Sequence, residues 1–192
     1  MGLLQEIRDQ IVNSGQYTAT DQYEMLLHKF QCHEDDVVAL RLIWECGMSV
    51  EEICTIYKKN AKKYDLTIQI FPERYVPTRA ARTVFIKDDS IIDLLNENIK
   101  SSRSDSLSNS DNEKQKYQDP VSYMRELSQK IRKLSGLKIN QRSLMRGKFV
   151  EMVDNGTKDL YDIIRFFGSE NLAKMGIIRI LSAESEEVTD GK

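Results

Sequence analysis

EDDVVALRLIWECGMSVEEICTIYKKNAKK, residues 34–63, is the stretch on which the reading of the fold turns. It opens with three carboxylates, Glu34, Asp35 and Asp36, and acids suit the positive end of a helix dipole. Val37, Leu40, Ile43 and Trp44 then share one helical face, and Gly47 is placed to end that helix as a left-handed cap. Ser49 followed three positions later by Glu52 makes a capping box, which predicts a second helix with Val50, Ile53, Cys54, Tyr57 and Ala61 facing inward. Lys58, Lys59, Lys62 and Lys63 suit its negative end. The stretch therefore predicts two consecutive amphipathic helices joined by Gly47-Met48, with Trp44, the only tryptophan, anchoring the core.

Downstream the period changes from helical to alternating. Leu66, Ile68 and Ile70 alternate with Thr67 and Gln69, which predicts a strand over 66–71. Pro72 and Pro77 bracket an extended loop, because proline lacks the ladder donor and biases its predecessor away from helix. A second short strand is expected at 83–86 and a helix from Ser90 to Ile99. Upstream, Leu3, Leu4, Ile7, Ile11 and Val12 give a helix over residues 2–14 that stops at Asn13-Ser14-Gly15. Tyr23 to Phe30 is ambiguous: Leu26, Leu27 and Phe30 fit a helix, while Tyr23, Met25 and Leu27 alternate, and the strand reading is taken.

Residues 100–118 hold six serines and one aliphatic side chain, Leu107, a composition that cannot bury a core and reads as a disordered linker. Beyond it, Asp119-Pro120 supplies an N-cap and a first helical residue, with Val121, Met124, Leu127, Ile131 and Leu134 on one face and Gly136 closing the helix. A strand is expected at 148–153, a helix at 159–167, and a closing strand at 177–181. The chain is thus expected to be α+β, with short mixed sheets and amphipathic helices in two small halves. Residues 1–99 form the first and carry the helix pair 34–63; residues 119–182 form the second, and an acidic tail occupies 183–192.

Composition narrows the function classes. The sequence has 40% hydrophobic and 30% charged residues over 192 positions, as expected of a globular chain with disordered parts. No run of about 18 apolar residues occurs, so no membrane-spanning helix is expected. Glu6 comes too early for the apolar core of a signal peptide and lacks the hydroxyl of a myristoylation signal, which points to a cytoplasmic or nuclear setting. Cys32, Cys46 and Cys54 form no Cys-x-x-Cys pair and are expected as buried, reduced thiols rather than as metal ligands with His33. Neither a phosphate-cradling glycine loop nor a nucleophile elbow is present, and His28 and His33 have no evident catalytic partner. No catalytic residue, cofactor or metal is assigned, and a non-enzyme is expected.

Charge is distributed unevenly around a net value of −2. Between Asp119 and Lys148 eight basic residues face two acidic ones. The eight, Arg125, Lys130, Arg132, Lys133, Lys138, Arg142, Arg146 and Lys148, are the candidate contacts to an anionic partner. No aromatics are interleaved for base stacking, so a solvated helix face is the plainer reading of the same segment.

The pattern from residue 37 to 99 resembles a known family. Trp44 in an apolar helix ended by Gly47, then Tyr57, Lys58, Lys59 and Ala61 on a second helix, a strand over 66–71 running into Pro72, and Arg82 before Val84-Phe85-Ile86 are similar to the C-terminal domain of the DEP-domain scaffold subunit of the SEACIT/GATOR-type complex. That resemblance implies a non-catalytic scaffold in amino-acid-responsive regulation of TOR signalling. It also implies protein partners in a larger complex at the vacuole or lysosome surface. Nucleic-acid binding through the basic segment 125–148 is the alternative.

Overall fold

The Gly47 turn expected between two helices is present. In this computed structural model, which describes residues 2–31, 33–59, 63–64, 67–70, 82–85, 90–91, 93 and 119–177, helix α3 spans Glu34–Cys46 and α4 spans Val50–Lys59. Gly47 sits at φ 63° between them, and its backbone N–H donates to Leu42 O. A side chain there would also collide with Phe166, whose ring carbon lies 2.8 Å from a built Cβ, so glycine is required twice over. The Ser49 N–H donates to Glu52 Oε2 at 2.7 Å, and the Glu52 N–H donates back to Ser49 Oγ at 3.3 Å, completing the capping box.

Around this pair the described residues are predominantly helical, and the expected α+β fold of mixed sheets is corrected accordingly. Helix α1 spans Leu3–Ser14 and α2 Thr20–Phe30; after the region of the expected linker come α5 at Pro120–Ser135, α6 at Gln141–Asp154, α7 at Leu160–Phe167 and α8 at Ser169–Met175. The sheet among the described residues is one small antiparallel meander in the order β1, β2, β3, formed by Lys63–Tyr64, Thr67–Ile70 and Arg82–Phe85. Thr67 pairs with Phe85 and Ile70 with Arg82. The strand Thr67–Ile70 lies within the span 66–71 read from alternation, and Arg82–Phe85 begins one residue before the expected 83–86.

Two other expected strands are helices, for a physical reason visible in burial. In α2 the buried side chains are Tyr23, Leu26 and Phe30, at spacings of three and four, while Met25 stays 36% exposed, so the apparent alternation is accidental. In α6 the strand expected over 148–153 begins too late to see the pattern. Met145, Phe149 and Val153 lie four apart and Leu144 beside them, all buried on one helix. Ile177 is helical, whereas the rest of the expected closing strand, the acidic tail, the linker 100–118 and most of the expected 90–99 helix lie outside the described residues.

The helices on either side of residues 100–118 share one core. Buried side chains of α1 to α4 and of α5 to α8, from Ile7 and Trp44 to Tyr123, Phe149 and Phe167, belong to a single apolar cluster. A close approach joins the α1–α2 connection, Trp44 of α3 and Gly147 of α6. A Cβ on Gly147 would stand 1.9 Å from the Thr18 carbonyl oxygen and 2.7 Å from the Trp44 ring. Trp44 in turn stacks on Tyr23 with centroids 4.3 Å apart and planes within 7°. Polar ties also cross between the segments on either side of residues 100–118. Arg8 Nε donates to Asp154 at 2.9 Å, Asn171 Nδ2 donates to the Gly47 carbonyl at 3.2 Å, and Lys130 Nζ donates to the buried Asp36 carboxylate at 2.7 Å.

Candidate functional site

The basic segment does not form one uniform face. Lys130 is bound to Asp36 across the α3–α5 contact and Lys148 to Glu151 at 2.8 Å, so each already neutralises a carboxylate. Arg125, Arg132 and Lys133 project from the exposed side of α5, and Lys138 is exposed in the connection to α6. Arg142 and Arg146 differ from all of these.

Their placement begins with the start of α6. The Asn140 side chain accepts the Ser143 N–H at 2.9 Å and fixes the first turn, and Thr18 holds that turn from outside through its N–H to Ser143 O at 2.9 Å. Arg142 and Arg146, four apart, therefore leave the same face of the helix, where like charges repel. What draws them together is the last residue of α8. Nε of Arg146 donates to the Met175 carbonyl at 2.9 Å and Nε of Arg142 donates to the same oxygen at 3.3 Å. A helix C-terminus carries unsatisfied carbonyls and partial negative charge, which favours cations.

Gly176, at φ 82°, lets the backbone run directly under the two guanidiniums. A Cβ there would meet Arg142 Nη2 at 2.6 Å and Arg146 Nη2 at 3.4 Å. Arg146 is 8% exposed and uses Nη1 to donate to Gln16 Oε1 at 3.2 Å. Its pKa is pushed below the ordinary arginine value, first by burial and then by the Arg142 charge, although a guanidinium remains protonated throughout the usual pH range. Among the described residues no carboxylate forms an ion pair with either arginine. The two groups thus present a fixed double positive charge with guanidinium donors left over, the arrangement that suits a phosphate or another oxyanion.

The sequence points to both arginines but not to Gln16, Met175 or Gly176, which shape the site. Only Gly176, directly after an Ala-Lys-Met turn, carries a local signal, that of a helix C-cap. The other candidate chemistries find no constellation. His28 and His33 are both exposed, with His33 edge-on to the Phe30 ring at 5.9 Å. Cys46 and Cys54 are buried, and among the described residues no group of three or more His, Cys, Asp and Glu side chains could hold a metal ion. No helix among the described residues is long and apolar enough to cross a membrane.

Comparison with known proteins corrects the expected family. No family model matches the chain, and no curated protein matches it. The resemblance to a SEACIT/GATOR-type scaffold is overturned, and with it the scaffold and TOR-signalling reading and any support for a vacuolar or lysosomal address. Among solved structures the chain is similar to the crystal structure of XerA recombinase, at 17% identity and a TM-score of 0.64. The match covers 92% of this chain and 65% of that one, so the chain spans just under two thirds of its neighbour's length. The expectation of a non-enzyme is corrected by the same finding, since the neighbour is an enzyme, while identity this low carries the fold and not the activity. The fold of this chain is that found in XerA recombinase.

Proposed function

We propose that the chain binds nucleic acid, with duplex DNA as the favoured form, through backbone phosphates received at Arg142 and Arg146. The observation that carries this reading is the convergence of the two guanidiniums on the Met175 carbonyl with no carboxylate against them among the described residues. Two like charges brought together at a surface, one of them largely buried, are held against their own repulsion, and an anionic ligand relieves it. The exposed Arg125, Arg132 and Lys133 of α5 and Lys138 in the connection to α6 add further positive charge, in keeping with a polyanion rather than a small anion. The fold likeness to a recombinase, a protein that acts on DNA, supports the same partner. A site inside the cell, where DNA is met, accompanies this reading.

Fluorescence anisotropy with a labelled mixed-sequence duplex tests it. Binding should weaken steeply with salt, since each phosphate contact contributes about 0.9 to the log–log slope on duplex DNA. Arg142→Ala should weaken binding to all sequences alike and reduce the slope by about 1. Affinity that stays constant between low and moderate salt would exclude the proposal.

A further inference from the structure

One side chain at the arginine pair belongs to neither α6 nor α8. Gln16 lies in the exposed connection between α1 and α2, and its Oε1 accepts from Arg146 Nη1 at 3.2 Å. An arginine offers donors only, so the atom turned towards it has to be the amide oxygen. The amide nitrogen then carries its two N–H donors on the other branch of the same plane, and among the described residues it has no partner. The connection is tied on both sides of Gln16. Gly15, at φ 63°, ends α1, and the Gln16 N–H donates to Ser14 Oγ at 3.2 Å. Beyond it, Thr18 donates to Ser143 at the start of α6 twice, from its N–H to O at 2.9 Å and from its hydroxyl to Oγ at 3.1 Å. The fixed backbone and the bond to Arg146 hold the amide in place before any ligand arrives.

The Nη2 atoms of the two arginines supply the other donors. Both come within 3.4 Å of one point, the place of a Cβ built on Gly176, and neither donates to another described residue. A tetrahedral oxyanion accepts charge-assisted hydrogen bonds at about 2.7–2.9 Å, so one such group spans both nitrogens. We propose that Gln16 is the third member of this oxyanion site: its carbonyl oxygen positions Arg146, and its amide donors meet the bound group from the α1–α2 side. The inference deepens the nucleic-acid reading and rests on it for the identity of the ligand, a backbone phosphate, while the chemistry concerns any phosphate. Glutamate is the informative replacement. It has nearly the shape of glutamine and keeps an oxygen for Arg146, so it holds the guanidinium at least as firmly. It lacks the amide donors and sets a carboxylate where the phosphate is to be received.

The test uses the full chain in four forms: unaltered, Gln16→Glu, Gln16→Ala and Asn13→Asp, the last adding the same charge on the exposed final turn of α1. Two ligands are used, a labelled mixed-sequence duplex followed by anisotropy and inorganic phosphate followed by its shift of the melting temperature. Gln16→Ala is expected to weaken duplex binding about three- to fivefold, through the loss of one neutral donor and of the tie on Arg146. Gln16→Glu should weaken it about tenfold or more and reduce the phosphate shift, while its melting temperature without ligand equals or exceeds that of the unaltered chain. Asn13→Asp should change affinity less than about twofold, as a screened surface charge does. A glutamate variant that binds within about twofold of the unaltered chain would show that Gln16 only braces Arg146. Equal losses in Gln16→Glu and Asn13→Asp would show an effect of net charge alone. Either result overturns the proposal, and so does unchanged affinity in Gln16→Ala, whatever the stability of the glutamate variant. Phosphate separates this inference from the nucleic-acid reading. If the duplex does not bind but the phosphate shift is present in the unaltered chain and smaller in Gln16→Glu, the site stands and the DNA reading falls. Salt-dependent duplex binding that is indifferent to Gln16 keeps the DNA reading and overturns this inference. Failure of both ligands to bind the unaltered chain overturns both.

Discussion

At Gly147 one missing side chain decides how three segments meet. The Thr18 carbonyl and the Trp44 ring occupy the space a Cβ needs, at 1.9 and 2.7 Å, and the nearer of the two is backbone that cannot rotate away. Gly147→Ala must push the α1–α2 connection off α6 and is expected to cost about 3 kcal/mol or more, read as a fall in the urea midpoint. An unchanged midpoint would show that the connection yields freely. Nearby, Tyr23 stacks on Trp44 and donates its hydroxyl to Glu45 Oε1 at 3.1 Å. Burial, with the Glu45 charge adding to it, pushes the Tyr23 pKa up from 10.0. A group whose folded pKa lies above its unfolded one holds its proton more tightly in the folded chain. Its contribution is therefore complete below the unfolded value, near pH 10, and is lost as pH rises from there towards the folded value. Chemical denaturation at pH 9 and pH 11 should show stability falling, and Tyr23→Phe should fall less steeply by up to about 1.4 kcal/mol per pH unit. Identical slopes in the two chains would mean that Tyr23 ionises as freely folded as unfolded. The two arginines also belong to this scale. Their types and positions are legible in the sequence, but their pairing is not, because the carbonyl that joins them lies 29 positions from Arg146.

Between elements, the contact of α3 with α5 shows why a charge count misleads. Lys130 belongs to the basic segment by sequence, yet its ammonium lies 2.7 Å from a carboxylate whose side chain is 3% exposed. Its role is to neutralise Asp36 where the two helices meet. Lys130→Ala is expected to destabilise the chain by about 1–3 kcal/mol, because the carboxylate loses a charged hydrogen bond in a buried place. It should leave the salt slope of DNA binding as it is, whereas Arg142→Ala should show the opposite pattern, with stability nearly kept and the slope reduced. A Lys130→Ala chain that melts normally and binds DNA with a smaller slope would reverse the assignment. The same scale explains what is legible in the sequence. Helix ends written in local chemistry can be read there: the Ser49 and Glu52 box, the Gly47 cap and the Asp119 cap all stand in the structure. Elements that depend on choosing a period within a short window are misread, α2 through a chance alternation and α6 through a window that begins after Leu144 and Met145. Helix α8 escapes notice because seven residues, Ser169–Met175, are too few to display a period.

Across the whole molecule, the Ser-rich composition of residues 100–118 suggests two halves, but composition reports only whether a segment can bury a core and not what its flanks do. The flanks pack together. The face of α3 that carries Trp44 is completed by α6, the Gly47 carbonyl is satisfied by Asn171, the first N–H of α4 donates to the Gln141 side chain at 2.9 Å, and Arg8 reaches Asp154. Each of these partners lies after residue 118. Removing them strips α6 from the Trp44 ring and leaves a turn carbonyl that has lost its Asn171 donor. Apolar burial, at roughly 25 cal/mol per Å², is the largest favourable contribution set against chain entropy. Residues 1–99 alone are therefore expected to lack a cooperative transition, giving a broad thermal change by far-UV circular dichroism and strong binding of a hydrophobic dye. The full chain should unfold in one step, with circular dichroism and Trp44 fluorescence tracing the same curve. A sharp melt from residues 1–99, or two separated transitions in the full chain with Trp44 reporting only one, would show that the first half completes its own core. The positions of Gly147 and Asn171 against it would then be a docking of two finished bodies rather than the assembly of one.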